Sequence, residues 1–469
     1  MAPAQVFHPT IPKAWDDSEV TSFELPLAQA ERSPKYPSAK EYYALPVRPV
    51  YRTYPVYLAD REPEGYWKSL QEKEPEILFD PAKLVTKQDW IQAGALVFDQ
   101  PLVLVPPAVG DRTSRFREAR VPTTRDGIVP FAFYVVRQKG VVEMGAGSCA
   151  ECHTRVMADG AVVKGAQGNF PTAALNALLQ ISRGSSPAAV QALRKRKGSN
   201  TFAPWAHNQD NWDEITFDEI IHRLQAMPPE VNNREGTSLK HPAKVPSLIG
   251  IQDIRYLDAT GLSRNRNVGD LMRYAIVNQG LLSMARFGDY FPGKAPEGGN
   301  TRYSDEQLYA LSLYLYSLEP PANPNPFDDE AKRGKLIFNQ QGCSGCHPAP
   351  LYTNNMLTPV RGFTVPDALR KTDAILDVIV GTDPGLALET RRGTGFYKVP
   401  SLRGVWMRSV FGHEGQAASL EEWFDSARLN ADYVPKGFHL APGPIQGHEF
   451  GIKLPAADRK ALIAFLKTL

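Results

Sequence analysis

Apolar residues recur at helical spacing in two segments far apart in the chain. Leu308, Leu311, Leu315 and Leu318 follow one another at intervals of three and four, and Phe465 and Leu466 stand three and four residues after Leu462. That period puts each set on one face of a helix. Ser304 and Asp305 offer N-cap chemistry to the first helix, and Pro455 suits the first turn of the second. A contrasting run, Phe131-Ala-Phe-Tyr-Val-Val136, predicts a strand. No apolar run approaches the ~18 residues of a membrane span. The stretch Ala95–Pro107 is short and broken by Asp99, Gln100 and prolines.

Taken alone, each striped segment is equally an ordinary core helix. Their surroundings repeat, however, and the repeat sets the domain plan. Lys244-Val-Pro-Ser-Leu-Ile-Gly-Ile251 returns as Lys398-Val-Pro-Ser-Leu-Arg-Gly-Val405, and Ala93-Gly-Ala-Leu-Val-Phe98 resembles Arg333-Gly-Lys-Leu-Ile-Phe338. Aligning Leu318 with Leu469 places Ala310-Leu311 on Ala461-Leu462. Residues 89–319 and 320–469 therefore read as two related domains, divided at the linker Pro320-Pro-Ala-Asn-Pro-Asn-Pro326. The first carries an insertion of about fifty residues after Phe98. Residues 1–88, rich in Pro and Tyr, read as an irregular arm lying over the body.

The 469 residues suffice for two or three domains, and 42% hydrophobic with 22% charged content is ordinary for a globular chain. A formal net charge of +2 gives no argument for nucleic acid or an anionic membrane. The first residues show no basic start followed by an apolar core, so no secretion signal is visible.

All four cysteines fall in two copies of one motif, Cys149-Ala-Glu-Cys152-His153 and Cys343-Ser-Gly-Cys346-His347. Two thiols at this spacing can bond to the two vinyl groups of one haem, with the following histidine held beneath the iron. Zinc ribbons usually place their second pair about 15–20 residues on, whereas these pairs begin at 149 and 343. A thioredoxin-like pair needs no histidine and sits in a βαβ pattern, which neither site shows. The expected cofactors are two covalent haems c, bound through Cys149, Cys152 and His153 and through Cys343, Cys346 and His347. Covalent attachment points to a periplasmic or exported location, which would mean that a leader is missing from this sequence.

Tyr397-Lys-Val-Pro-Ser-Leu-Arg-Gly-Val405, Phe411-Gly-His413-Glu-Gly415 and Ser419-Leu-Glu-Glu422 resemble the C-terminal domain of the bacterial dihaem cytochrome c peroxidases. The wider superfamily includes MauG-type enzymes and dihaem rubber oxygenases, and the resemblance covers roughly Trp90 to Leu469. It implies a mainly α fold of two cytochrome c-like domains around a shared interface. One haem would store electrons while the other meets peroxide or oxygen. It also admits a calcium ion between the domains, with no ligands assigned.

The ligand opposite each proximal histidine decides which haem is open. For the C-terminal haem the candidates are His448, His413, His439, Met356 and Met407. His448 leads, because Gly447-His448-Glu-Phe-Gly451 looks like the ligand loop of the rubber-oxygenase branch, and His413 is the alternative. In the first half the repeat puts Ala259 where His413 stands and Glu297 where His448 stands. The N-terminal haem is therefore expected to be open, with Glu297 as a distal acid. His207, His222 or His241 could still close it. Trp205 and Trp212 are candidate electron relays, Arg194–Lys197 a candidate docking patch, and Arg403 a candidate propionate partner.

The expected function is a peroxidase-like dihaem oxidoreductase that reduces hydrogen peroxide with electrons from a small cytochrome or cupredoxin. The alternatives are an oxygenase or MauG-like oxidase of an organic or protein substrate, and an electron-transfer cytochrome with both irons blocked.

Overall fold

The computed structural model describes residues 6–106, 113–191, 214–233, 237–279, 285–286 and 301–469. The two striped segments are the helices Asp305–Tyr316 and Ala456–Lys467. Ser304 caps the first through a reciprocal pair with Gln307, which satisfies two of the helix's free N–H groups. Pro455 stands one place outside the second helix, as its N-cap, rather than in its first turn.

Each closing helix packs on an entry helix, Lys87–Asp99 for the first and Asp329–Gln340 for the second. The two contacts are built alike. A Cβ on Gly94 would lie 2.0 Å from the carbonyl oxygen of Ala310 and 2.8 Å from Cβ of Tyr314. A Cβ on Gly334 would lie 1.9 Å from the carbonyl oxygen of Ala461 and 2.8 Å from Cβ of Phe465. Glycine is needed at both crossings because the backbones approach too closely for any side chain. Around these crossings Leu308 and Leu311, or Leu462 and Phe465, are at most 2% exposed. Burial of each contributes about 1.5–3 kcal/mol.

The structure is more mixed than the mainly α expectation, at 36% helix and 13% strand. Much of the strand comes from the insertion after Phe98. Four antiparallel strands, β1 (Thr53–Tyr57), β2 (Val103–Val105), β3 (Ile128–Gln138) and β4 (Val141–Ala146), lie in the order β1-β3-β4-β2. Phe131, Tyr134 and Val136 of β3 are buried on one side against Val56, Val142 and Val156. The chain between the entry helix and the first cysteine pair thus builds a small core together with β1 and Val156.

The N-terminal segment is more than an extended covering. It forms short helices at Asp17–Phe23 and Ala39–Tyr43 and contributes β1 to the sheet. Trp15, Phe23 and Tyr42 are at most 1% exposed in the same core as Phe98, Leu308 and Leu311. Trp15 Nε1 donates to the carbonyl of Pro37 at 2.9 Å, which satisfies the indole polar group inside that core.

The two halves meet through backbone and charge. Lys398 N–H donates to the Ala259 carbonyl at 3.0 Å, and Lys244 N–H to the His413 carbonyl at 2.9 Å. Arg264 makes a bidentate pair with Asp373 at 2.8 and 2.9 Å. No helix among the described residues is long and apolar enough to cross a membrane.

Candidate functional site

Both cysteine pairs sit on one-turn helices, Cys149–Cys152 and Cys343–Cys346, with the histidine as the next residue. One turn brings residues i and i+3 to the same side, so each pair of thiols faces one way. His153 and His347 are each 8% exposed. His153 Nδ1 lies 3.1 Å from the Pro246 carbonyl and His347 Nδ1 lies 3.0 Å from the Tyr352 carbonyl. A carbonyl on Nδ1 fixes the tautomer that leaves Nε2 as the ligating atom. In the second half the Pro400 carbonyl also acts on His347. Pro246 and Pro400 are equivalent positions of the Lys-Val-Pro-Ser-Leu repeat.

Cys343, Cys346 and His347 open on a cavity of about 330 Å³, whose walls also include His413, Trp423 and His448. His448 Nδ1 is shielded from solvent and has no hydrogen-bond partner. Burial, with the charge of His347 adding to it, pushes the His448 imidazole down to about 4. Such a ring is neutral at pH 7 and keeps a lone pair available. The loop that carries it is held hard. Gly447 and His448 both adopt positive φ, at 72° and 48°. His448 N–H donates to the Val380 carbonyl at 2.9 Å. Fully buried Arg428 donates to the carbonyls of Gly447 and His448 at 2.8 and 3.0 Å.

Four cations line the same cavity, Arg403 and three more deeply enclosed ones: Lys244, Lys398 and Arg408. Enclosure lowers the two ammonium groups to about 7 and about 8 and the guanidinium to about 10. None of these three enclosed cations makes an ion pair among the described residues. Lys398 Nζ reaches only the Tyr256 carbonyl, at 3.1 Å, and Arg408 donates to the carbonyls of Ser401 and Arg403. Enclosed cations without carboxylate partners are costly and suit an anionic group such as a haem propionate. Thiols, adjacent histidine, a second histidine in the same cavity and cations therefore fit a haem c at Cys343 and Cys346. Lys244 and Lys398, the paired first residues of the repeat, were the legible signal for this cradle. Arg403, the candidate propionate partner, lines the same cavity and pairs with Asp253 at 3.0 Å.

Of the other C-terminal candidates, His413 stacks on Tyr397 at 4.2 Å, and burial lowers it to about 3. His439 Nδ1 faces the Gly437 carbonyl at 3.0 Å. Met407 packs with Val163 and Ala166. Neither of these two nor Met356 lines the cavity.

Beside His153 the described residues enclose only about 40 Å³, walled by Ala259, Tyr274, Asn278 and Arg392 among others. The donor set, rather than the volume, marks this site for haem. Lys244, Pro246, Asp258, Ala259 and Tyr274 wall both cavities. Among the described residues, no methionine and no second histidine lines the smaller one. A polar network does: Tyr274 OH donates to Asp258 at 3.0 Å, and Arg392 pairs with Asp258 at 2.8 Å and reaches Asn278 at 3.1 Å. Nothing in the repeat pointed to these residues, because their partners are remote in sequence. Cys149 Sγ accepts from Gln279 Nε2 at 2.8 Å.

His222 is exposed on the helix Phe217–Ala226. His241 is buried, but it is bonded to Glu414 at 2.9 Å. Glu297, His207, Trp205, Trp212 and Arg194–Lys197 lie outside the described residues.

No protein-family model matches the chain. Cytochrome c551 peroxidase of Pseudomonas aeruginosa is 24% identical over 209 residues, covering 41% of this chain and 57% of that protein. The match thus spans little more than half of the relative's length. Two solved structures align at TM-scores too low to define a common fold. Kuenenia stuttgartiensis hydrazine synthase pressurised with xenon gives 0.30 at 15% identity, covering 49% of this chain and 73% of the other. A MauG-like protein associated with microbial copper homeostasis gives 0.33 at 16% identity, covering 61% and 88%. The curated match, together with the chain's own paired Cys-x-x-Cys-His motifs, is consistent with the dihaem cytochrome c peroxidase and MauG superfamily.

Proposed function

We propose that this chain is a peroxidase-like oxidoreductase with two haems c, one in each of two related domains (89–319 and 320–469). The observation that carries the reading is an asymmetry. His347 shares its cavity with His448, whereas the cavity beside His153 has no second histidine or methionine among the described residues. A haem with two histidine ligands stores and passes electrons, and one with an open face admits a small substrate. The C-terminal haem is then the electron relay and the N-terminal haem the place where peroxide is reduced.

Bound haem c supplies the redox-active iron at both sites. The chain supplies the rest. His448, held by Arg428, closes one site against ligands. Lys244, Lys398 and Arg408 neutralise anionic groups between the sites. Tyr274, Asp258, Asn278 and Arg392 provide donors and acceptors near His153 that can orient a polar substrate and carry protons. Glu297 remains the proposed distal acid. Reduction of one peroxide to two waters consumes two electrons and two protons, which requires a reduced donor, proposed to be a small cytochrome or cupredoxin. Covalent haem places the protein in the periplasm or another exported compartment.

The test is ligand binding to the purified dihaem protein followed by turnover. Cyanide should convert one haem only, and a His153→Ala variant should change the spectrum of that complex while leaving the other haem unaltered. A reduced small cytochrome should be oxidised by peroxide at two equivalents per peroxide. Two low-spin six-coordinate haems in both redox states, with no peroxide turnover, would overturn the reading in favour of pure electron transfer. Oxygen uptake coupled to a changed organic substrate would replace it with the oxygenase.

A further inference from the structure

His241 and Glu414 are 173 residues apart in sequence and meet inside the protein, Nδ1 to Oε1 at 2.9 Å. His241 is 6% exposed and Glu414 is 5% exposed. Asp383 brings a third donor, so that one atom each from His241, Asp383 and Glu414 lie within 4.8 Å of one another. A fourth candidate stands beside them: His413 Nε2 is 3.9 Å from the same oxygen of Glu414. That nitrogen has no hydrogen-bond partner, and its side chain is only 10% exposed. His241 Nε2 lies 3.4 Å from a Glu389 oxygen, a further carboxylate at the edge of the cluster.

Each donor is held in place by a different neighbour. Glu414 Oε2 accepts from Gln416 at 3.1 Å, which leaves Oε1 to point inward. Asp383 Oδ1 accepts from the Gly385 N–H at 2.8 Å. The His241 ring lies flat on Gly385, where an added Cβ would come within 2.0 Å of its Cε1. His413 is fixed by stacking on Tyr397, whose hydroxyl in turn donates to the Asp383 carbonyl at 2.8 Å. Supporting contacts of this kind orient the ligands in protein metal sites. A purely structural ion pair would need neither the unpartnered His413 nitrogen nor a third donor from Asp383.

We infer that His241, His413, Asp383 and Glu414 form a binding site for a divalent transition-metal ion of the zinc class, bridging the two halves next to the haem cavity. Two imidazoles and two carboxylates suit zinc and its neighbours, whereas calcium takes an all-oxygen shell. The site is thus distinct from the calcium ion that the family resemblance admits. Lys240, near Glu389 at 3.9 Å, and Lys244 add positive charge nearby, while Glu389 adds a further carboxylate. The inference does not depend on which reaction the haems carry out.

The test uses the full dihaem protein, stripped with dipicolinate and then given zinc or calcium. Elemental analysis after gel filtration should show one zinc per chain beyond the two irons, and no retained calcium. His241→Gln and Glu414→Gln should each lose that zinc equivalent with the haem spectrum unchanged. Zinc K-edge absorption of the wild-type protein should show imidazole scattering, and this measurement decides the matter if the variants do not fold. No zinc retained by the wild type, zinc retained equally by both variants, or a zinc shell without imidazole would each overturn the site.

Discussion

Arg428 holds the backbone of His448: its Nη2 donates to the His448 carbonyl at 3.0 Å while its Nε donates to the Trp423 carbonyl at 2.8 Å. The same guanidinium reaches the Ile445 and Gly447 carbonyls and lies 4.9 Å from the Trp423 ring. Four carbonyls from two stretches of chain are thus gathered on one planar fork. An ammonium, with its compact point charge, cannot reproduce this arrangement. The positive φ of His448 costs on the order of 1 kcal/mol, and the fork offsets it.

If His448 is the sixth ligand of the C-terminal haem, Arg428→Lys should loosen its loop without removing it. We expect part of the C-terminal haem to turn high-spin at pH 7, with unfolding free energy lowered by about 2–3 kcal/mol. His448→Ala should make that conversion complete and allow a second cyanide to bind. Electron paramagnetic resonance and cyanide titration check both. An unchanged low-spin spectrum in His448→Ala would remove His448 as the ligand.

The paired glycines give a prediction in which packing opposes helix propensity. Gly94→Ala and Gly334→Ala should each gain up to ~1 kcal/mol in propensity. Each must also force apart helices whose backbones leave no room for a Cβ, an overpacking cost of typically 1–3 kcal/mol and occasionally more. Both variants should show a lower urea midpoint than wild type. A raised midpoint in either would show that the helices can separate at little cost.

Lys244 and Lys398 can be tested through redox potential. If they face haem carboxylates, replacing either by methionine keeps its bulk and removes a positive charge that favours the reduced iron. The midpoint of one haem should fall by roughly 59 mV, a tenfold change for a one-electron couple. Spectroelectrochemical titration reads both haems. Unchanged midpoints in both variants would place the lysines away from the cofactor.

What could be read from the chain divides by the range of the interaction. The paired Cys-x-x-Cys-His motifs, the striped helices and the repeat are local signals, and the alignment of Ala310 with Ala461 coincides with two similarly built glycine crossings. The ligand candidates were less legible because His413, His439 and His448 all lie outside helices and strands, where spacing does not say which way a ring points. The cradle lysines stood in the repeat in plain view, but a lysine before Val-Pro looks like any solvated residue until its enclosure is known. The pairing of His241 with Glu414, and of Asp258 with Arg392, depends on how the halves dock, which no periodicity encodes. The four-stranded sheet was foreshadowed only by the β3 run, since β1 and β2 are short and β1 lies far ahead of the insertion in sequence.

The docking of the halves rests in part on Arg264 and Asp373, and its pH dependence has a definite sign. Asp373 is 8% exposed and accepts from Arg264, Thr372 and Tyr256. Burial works against its charged form, but those donors outweigh it and hold the carboxyl below its ordinary value of 3.8. A carboxylate with a depressed folded pKa contributes stability above its unfolded pKa, and that contribution disappears as pH falls through the folded value. Asp373→Asn should therefore cost about 3 kcal/mol at pH 7, in the range for breaking a buried pair. The gap between wild type and variant should stay level from pH 7 to about pH 5 and close below about pH 4. Thermal melts of both proteins across that range measure it. A gap that persists undiminished at pH 2.5, or that is absent at pH 7, would show that the pair does not hold the halves together.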